Sequence, residues 1–278
     1  MDETMARHVA EAASALRRIL LAESGDLAGL PCPPGAARTA AIDSRAAPSN
    51  RPQPAADTRR APDPLRETRP PVARQPSANP PQHQIAIPQP SPEFPGGLEE
   101  LASRVRSCTL CSLHESRTNT VFGEGCITTP QVMFVGEGPG ADEDLTGRPF
   151  VGASGQLLDR MIVAMGLRRE DCYIANVVKC RPPHDATPLP NQAGACMPFL
   201  RAQISMIKPQ FLVALGASAA NAITGSQDGV ARLRGRIHRY GDIPMVVTYH
   251  PAALLRNADY KRPTWTDLQM VMARLRSE

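Results

Sequence analysis

Residues 131–159, QVMFVGEGPGADEDLTGRPFVGASGQLLD, leave few folds open. They begin with an apolar run, Val132–Met133–Phe134–Val135, short enough and β-branched enough to be a buried strand. A glycine-rich turn follows at once, Gly136–Glu137–Gly138–Pro139–Gly140. After an acidic loop come Phe150, a second small-residue turn (Gly152–Ala153–Ser154–Gly155) and an amphipathic helix from about Gln156. A strand that ends in glycines sets backbone N–H groups and one carboxylate at the carboxyl edge of a sheet, where α/β proteins hold ligands. Strand ends of this kind also occur where nothing binds, so the partners have to come from the rest of the chain.

The rest of the chain alternates in the same way. A short helix over 98–107 leads into Cys108–Thr109–Leu110–Cys111. The helix at 156–165 carries Leu157, Leu158, Met161, Ile162 and Met165 on one side, and 172–178 (CYIANVV) reads as a second buried strand. A proline-bearing loop, a helix over 191–207, a third strand at 211–215, a helix at 217–223, a fourth strand at 245–248 and a last helix at 264–275 complete the series. Strands separated by helices predict a largely parallel sheet covered on both faces. The expected fold is a three-layer α/β/α sandwich with a central, mainly parallel four-stranded sheet. Glu137, Asn176 and His250 each fall at the carboxyl end of an expected strand, so all three should face one crevice.

The chain ahead of this unit has another character. More than half of its 29 prolines lie between Pro31 and Pro95, and that segment also carries most of the net charge of +4. Residues 28–97 therefore read as a Pro/Arg-rich disordered linker, and the folded part is close to neutral. The basic tail is weak support for a nucleic-acid-binding face on the folded unit. Residues 1–27 hold an amphipathic helix with Val9, Ala12, Ala13, Leu16, Ile19 and Leu20 at helical spacing, a face that calls for a protein partner or a docking surface. The expected domains are thus 1–27, 28–97 and 98–278. No apolar run approaches the ~18 residues of a membrane helix. The acidic start without an apolar core is no secretory leader, and a cytoplasmic location is expected.

Seven cysteines in such a chain point to metal or cluster ligation and to buried thiols. Cys108 and Cys111 form a C-x2-C pair, and Cys180 and Cys196 sit on the loop and helix after the second strand. Four thiolates suit a [4Fe–4S] cluster or a zinc; zinc ribbons repeat C-x2-C in both halves, which the second half here does not. Two unrelated pairs of packed cysteines are the plain alternative. Cys172 reads as core, Cys32 as linker, and Cys126 is undecided. His250 is either a satisfied core histidine or a functional group. Asn176, a buried amide in an apolar strand, has to find partners. Phe150 either packs or stacks on a planar ring. The run Asp142–Glu143–Asp144 reads as a solvated face or a helix cap.

Together and in this order these pieces resemble the family-4 uracil-DNA glycosylases, the iron–sulfur-containing branch of the uracil-DNA glycosylase superfamily. The matching residues are Cys108/Cys111, GEGPG at 136–140, GRPFVG at 147–152, NVVKCRPP at 176–183, Cys196 and HPAALLRN at 250–257. The resemblance implies a [4Fe–4S] cluster on Cys108, Cys111, Cys180 and Cys196. It also implies a monofunctional glycosylase that flips uracil out of double- or single-stranded DNA and hydrolyses its glycosidic bond. By similarity Phe150 stacks on the uracil, Asn176 reads its O4/N3 edge and His250 donates to O2. Glu137 orients water or crowds the uracil C5 position, and Leu254 is the first choice for a wedge entering the duplex. Gly138, at the base-binding turn, departs from the usual alanine, and a related branch has a catalytic aspartate there. His184 stands in a loop where another branch traps DNA covalently, but without that branch's basic insertion. A catalytically weak DNA-binding or polymerase-associated member is the rival reading; a monomer is expected.

Overall fold

The computed structural model describes the backbone of residues 84–85 and all of residues 96–277. The helix expected within 1–27 and nearly all of the expected linker lie outside the described residues. Within that linker, Gln84–Ile85 (β1) forms a two-residue strand.

Helix α1 (Gly97–Arg106) opens the continuous part. Glu99 and Glu100 occupy its first turn, Arg104 and Arg106 its last, and Leu101 and Val105 are buried one turn apart. Then follow β2 (Glu124–Gly125), β3 (Val132–Gly136), α2 (Ala141–Thr146), α3 (Ala153–Ala164), β4 (Cys172–Asn176) and α4 (Pro190–Ile207). The chain closes with β5 (Phe211–Leu215), α5 (Ala217–Thr224), α6 (Val230–Leu233), β6 (Ile237–Tyr240), β7 (Ile243–Thr248), α7 (Pro251–Arg256) and α8 (Lys261–Leu275).

The sheet runs β1-β6-β7-β5-β3-β4-β2. Its middle four strands, β7, β5, β3 and β4, are the four expected from sequence, and all are parallel to their neighbours in that block. Three short strands extend the edges: β1 parallel to β6, β6 antiparallel to β7, and β2 antiparallel to β4. These were not legible as strands because two residues, or a hairpin partner interrupted by Arg239, carry little periodicity.

Alternate residues of each central strand enter separate cores, as a sheet buried on both faces requires. Met133, Val135, Tyr173, Ala175, Leu212, Ala214, Met245 and Val247 pack with Leu101 and Val105 of α1 and Leu200 and Ile204 of α4. Val132, Phe134, Ile174, Phe211, Val213 and Val246 pack on the other side, with Leu158 and Ile162 of α3 and Leu268 and Val271 of α8. This gives the three layers. Among the four parallel strands, the order changes direction at one place. From β3 the chain moves outward to β4, then returns across β3 to β5 and proceeds to β7. The crevice between the carboxyl ends of β3 and β5 is therefore a topological switch point, the standard place for a ligand in such sheets.

Candidate active site and thiol-lined cavity

A cleft of about 570 Å³ opens at that switch point, with Glu137, Gly138, Phe150, Asn176, Gly216 and His250 among the residues on its walls. The three polar strand ends expected to converge do so.

Asn176 ends β4 and is 1% exposed. Its Oδ1 has no hydrogen-bond partner among the described residues. A buried amide oxygen without a donor is costly, by about 1–3 kcal/mol, so it marks a place where a ligand N–H would be bound. Gly136, in register with Asn176 on the neighbouring strand, makes its position possible. A Cβ on Gly136 would lie 2.6 Å from Phe150 Cζ and nearer still to Asn176 Oδ1. The amide and the ring thus approach over a bare α-carbon.

Phe150 is buried against His250, with ring centroids 5.5 Å apart. Its φ of 52° lies in the left-handed region, unusual for an aromatic residue and the kind of strain that collects at functional sites. Several groups hold it there. Arg169 donates from Nη1 to the Phe150 carbonyl at 3.2 Å and from Nη2 to the Pro149 carbonyl at 2.6 Å. Glu143 Oε1 accepts from the Val151 and Gly152 N–H groups at 2.8 and 3.0 Å, while its Oε2 accepts from Gly140 N–H at 3.0 Å. One carboxylate therefore joins the two small-residue turns.

Of the two readings of the acidic run, the helix cap holds and the solvated face holds only for Asp142. Asp142 is exposed, but Glu143 and Asp144 are buried. Asp144 accepts from the Thr118 and Asn119 N–H groups at 3.0 and 3.3 Å, fixing the segment ahead of β2. Glu143 at the third position of α2 has the spacing of a capping residue, a signal present in the sequence. Arg169 had no such signal, because Glu124, Pro149, Phe150 and Asp159 meet it only in the fold.

His250 caps α7. Its Nδ1 accepts from Ala252 N–H at 3.2 Å, which leaves the proton of a neutral ring on Nε2. Burial, helped by the nearby Arg256 guanidinium and opposed by Glu143, pushes its pKa down to about 4. The ring is a neutral N–H donor at ordinary pH. Gly216, with φ of 91°, lets β5 turn beneath it: a Cβ there would meet His250 Cβ at 3.2 Å.

Two other expectations shift. Leu254, the first choice for a wedge, is 3% exposed and packs in the same core as Phe150. Its neighbour Leu255 is 51% exposed and is the one free to reach outward. On a helix, adjacent residues point about 100° apart, so a one-residue ambiguity decides between core and solvent. His184 is exposed and is not among the residues on the cleft wall, although Pro182, Asp185 and Ala186 are. His184 and Asp185 both adopt left-handed backbone, with φ of 56° and 54°.

Cys108, Cys111, Cys180 and Cys196 line a second, separate cavity between α1, the loop after β4, and α4. Around it Arg117 donates to Cys180 Sγ at 3.1 Å and to the Cys108 carbonyl at 2.8 Å, and Lys179 N–H donates to Cys196 Sγ at 3.3 Å. Burial pushes the Cys196 thiol up to about 11 and the Cys180 thiol upward as well, so a ligand must displace their protons. Among the described residues no group of three or more His, Cys, Asp or Glu is arranged to hold a single metal ion. A single zinc with Zn–S bonds of ~2.3 Å would draw four sulfurs together at one point. Four thiols ringed about one cavity, with N–H donors on two of the sulfurs, fit a larger sulfur-ligated group better. Cys172 is buried in the core, as expected, and Cys126 is partly buried with its thiol donating to the Thr128 carbonyl.

Residues 122–269 match the family model described as the uracil DNA glycosylase superfamily. The chain is 45% identical over 185 residues to a protein named type-4 uracil-DNA glycosylase from Thermotoga maritima, spanning 65% of this chain and 96% of that one. It is 39% identical over 182 residues to a like-named protein from Archaeoglobus fulgidus, spanning 63% and 91% of the two chains. A protein named type-5 uracil-DNA glycosylase from Pyrobaculum aerophilum is 31% identical over 162 residues, spanning 52% and 70%.

Proposed function

This chain belongs to the uracil-DNA glycosylase superfamily, in its type-4 branch, and from that premise we propose that it removes uracil from DNA by hydrolysing the N-glycosidic bond. The observation that carries the reading is the buried, unpartnered Oδ1 of Asn176, beside Phe150 and His250 in one cleft.

A base inside a duplex cannot reach a cleft of this kind, so the nucleotide has to be flipped out. Phe150 offers its face to the extruded ring. Asn176 Oδ1 needs a donor, which uracil supplies at N3; cytosine presents an acceptor there. Leu255, which is exposed where Leu254 is buried, would fill the gap left in the duplex. As the bond from C1′ to N1 lengthens, its electron pair moves onto the uracil and positive charge develops on the sugar. His250 Nε2–H donates to O2 where the negative charge collects, an electrostatic stabilisation that such donors supply with about a 10²–10³-fold effect. Water adds its oxygen to C1′ and its proton leaves the sugar. Glu137 orients that water or crowds the C5 position of the base; Gly138 has no side chain to serve as a base.

Cys108, Cys111, Cys180 and Cys196 would hold a [4Fe–4S] cluster, which would tie the start of the unit to the loop after β4. No residue of the cleft wall is one of these cysteines. We assign the glycosylase unit to residues 98–278, working as a monomer on DNA in the cytoplasm, with the amphipathic sequence of residues 1–27 left for a protein partner. No helix among the described residues is long and apolar enough to cross a membrane.

The test is strand cleavage by alkali at a labelled uracil in an oligonucleotide, for the wild type, Asn176→Ala and His250→Ala. Alkali-dependent cleavage by the wild type, strongly reduced in both variants, is expected. Intact DNA with retained binding would show a binding protein instead, and a heat-stable protein–DNA adduct would show covalent trapping.

A further inference from the structure

Lys179 lies between the cleft and the thiol-lined cavity and belongs to neither set of roles above. It is 1% exposed. Its Nζ donates to the main-chain carbonyl of Asn176 at 2.8 Å and to Gln203 Oε1 at 2.6 Å. Gln203 is fixed in turn by donating to the Phe122 carbonyl at 2.9 Å and to Tyr173 Oη at 3.1 Å. Both acceptors of the ammonium are neutral, and Lys179 has no ion pair among the described residues. An ammonium taken out of water without a counter-charge is among the most expensive groups a protein can bury. Negative charge is therefore owed to this position.

The neighbouring cavity can supply it. Lys179 lines that cavity along with Arg117 and His114, and no carboxylate among the described residues does. Two cationic residues beside four thiols, with no acid among them, form an environment suited to thiolates on a bound group: Arg117 donates to Cys180 Sγ from its side chain, and Lys179 meets Cys196 Sγ through its main-chain N–H. Four thiolates around a cluster core of charge +2 leave about −2 in all, the amount that the two cations would offset. The cations differ in one respect. Arg117 touches Cys180, the Cys108 carbonyl and the Arg106 carbonyl, none of which borders the cleft. Lys179 touches the backbone of the base-reading residue.

We propose that Lys179 is the link between the two sites: its buried ammonium balances the thiolate-bound group while its hydrogen bond holds the Asn176 main chain in place for base reading. Lys179 is thus a positioning residue for the reaction. The inference rests on the cluster assigned above. Without the bound anion the ammonium is left uncompensated, the end of β4 rearranges, and uracil recognition weakens although no cysteine touches the base.

Lys179→Met removes the charge and keeps the length; Arg117→Gln removes the other charge. The midpoint potential of the cluster is read by voltammetry, and kcat and KM are read on a uracil-containing oligonucleotide. Loss of either positive charge should move the potential to more negative values, because adding an electron to the group becomes harder. Lys179→Met should also impair uracil excision by at least tenfold, several times more than Arg117→Gln does, because only Lys179 holds the Asn176 main chain. Gln203→Glu provides a second route, since it sets a carboxylate against Nζ without deleting the lysine; it should shift the potential in the same direction. An unchanged potential in both Lys179→Met and Gln203→Glu, or equal loss of excision in Lys179→Met and Arg117→Gln, would overturn the proposal. A colourless wild type lacking iron would instead remove the cluster reading beneath it.

Discussion

In the cleft the functional groups come from the ends of neighbouring strands, whereas in the thiol-lined cavity they come from a helix end, a loop and a second helix. The cleft is open and its critical polar atom, Asn176 Oδ1, is left unsatisfied. In the cavity two of the four sulfurs already receive N–H groups from the protein. One region is prepared for a visitor and the other for a resident. Damage to the first should therefore change turnover and leave the folded molecule intact, while damage to the second should change colour and stability first.

The sharpest separation is expected between His250→Ala and Cys196→Ala. The former should lower kcat by about 10²–10³-fold with visible absorbance and melting temperature unchanged. The latter should lose absorbance and melt earlier. If both variants lose colour, the two regions are not separable in this way. Gly136→Ala comes next: its methyl group would push Asn176 and Phe150 apart, and a misplacement of this size costs on the order of 10²-fold in rate. A variant with full activity would show that the bare α-carbon is not what lets the amide and the ring meet.

The pair Leu254→Ala and Leu255→Ala divides the same helix between structure and substrate. Truncating buried Leu254 should destabilise the fold by about 2–5 kcal/mol, measured by denaturant unfolding. Truncating exposed Leu255 should leave stability within about 0.5 kcal/mol and weaken activity on duplex more than on single-stranded DNA. The smallest effect is one of pH. Because burial holds the His250 pKa near 4, below its ordinary 6.5, the neutral donor persists as pH falls through 6.5 and is lost only near 4. Single-turnover rates should be nearly flat between pH 7 and 5.5; a fall centred on 6.5 would mean that the ring titrates normally.

The cleft was largely readable in the sequence because its geometry is local. Glu137, Asn176 and His250 each follow an apolar strand directly, and parallel strands bring their carboxyl ends to one edge. The four-strand centre of the sheet was readable for the same reason. What escaped reading depends on contacts between distant residues. Arg169 gathers acceptors from residues 124, 149, 150 and 159, and Lys179 meets Gln203 from another element. Leu254 and Leu255 are chemically identical, and only helix phase against the core tells them apart. In the acidic run the capping role of Glu143 was readable from its spacing, whereas Asp144 was not, because its partners are the backbone N–H groups of Thr118 and Asn119, distant in sequence.

Glu143 has a consequence for timing. By accepting from Gly140, Val151 and Gly152 together, it makes the glycine turn and the Phe150 loop move as one body. Ordering that wall takes place once, during folding, rather than at each encounter with an extruded nucleotide. The amide protons of Val151 and Gly152 should then exchange with solvent slowly and in concert, even with no DNA present. A lesion-scanning protein benefits from such a wall, since a flipped base is exposed only briefly and finds its receptor already assembled.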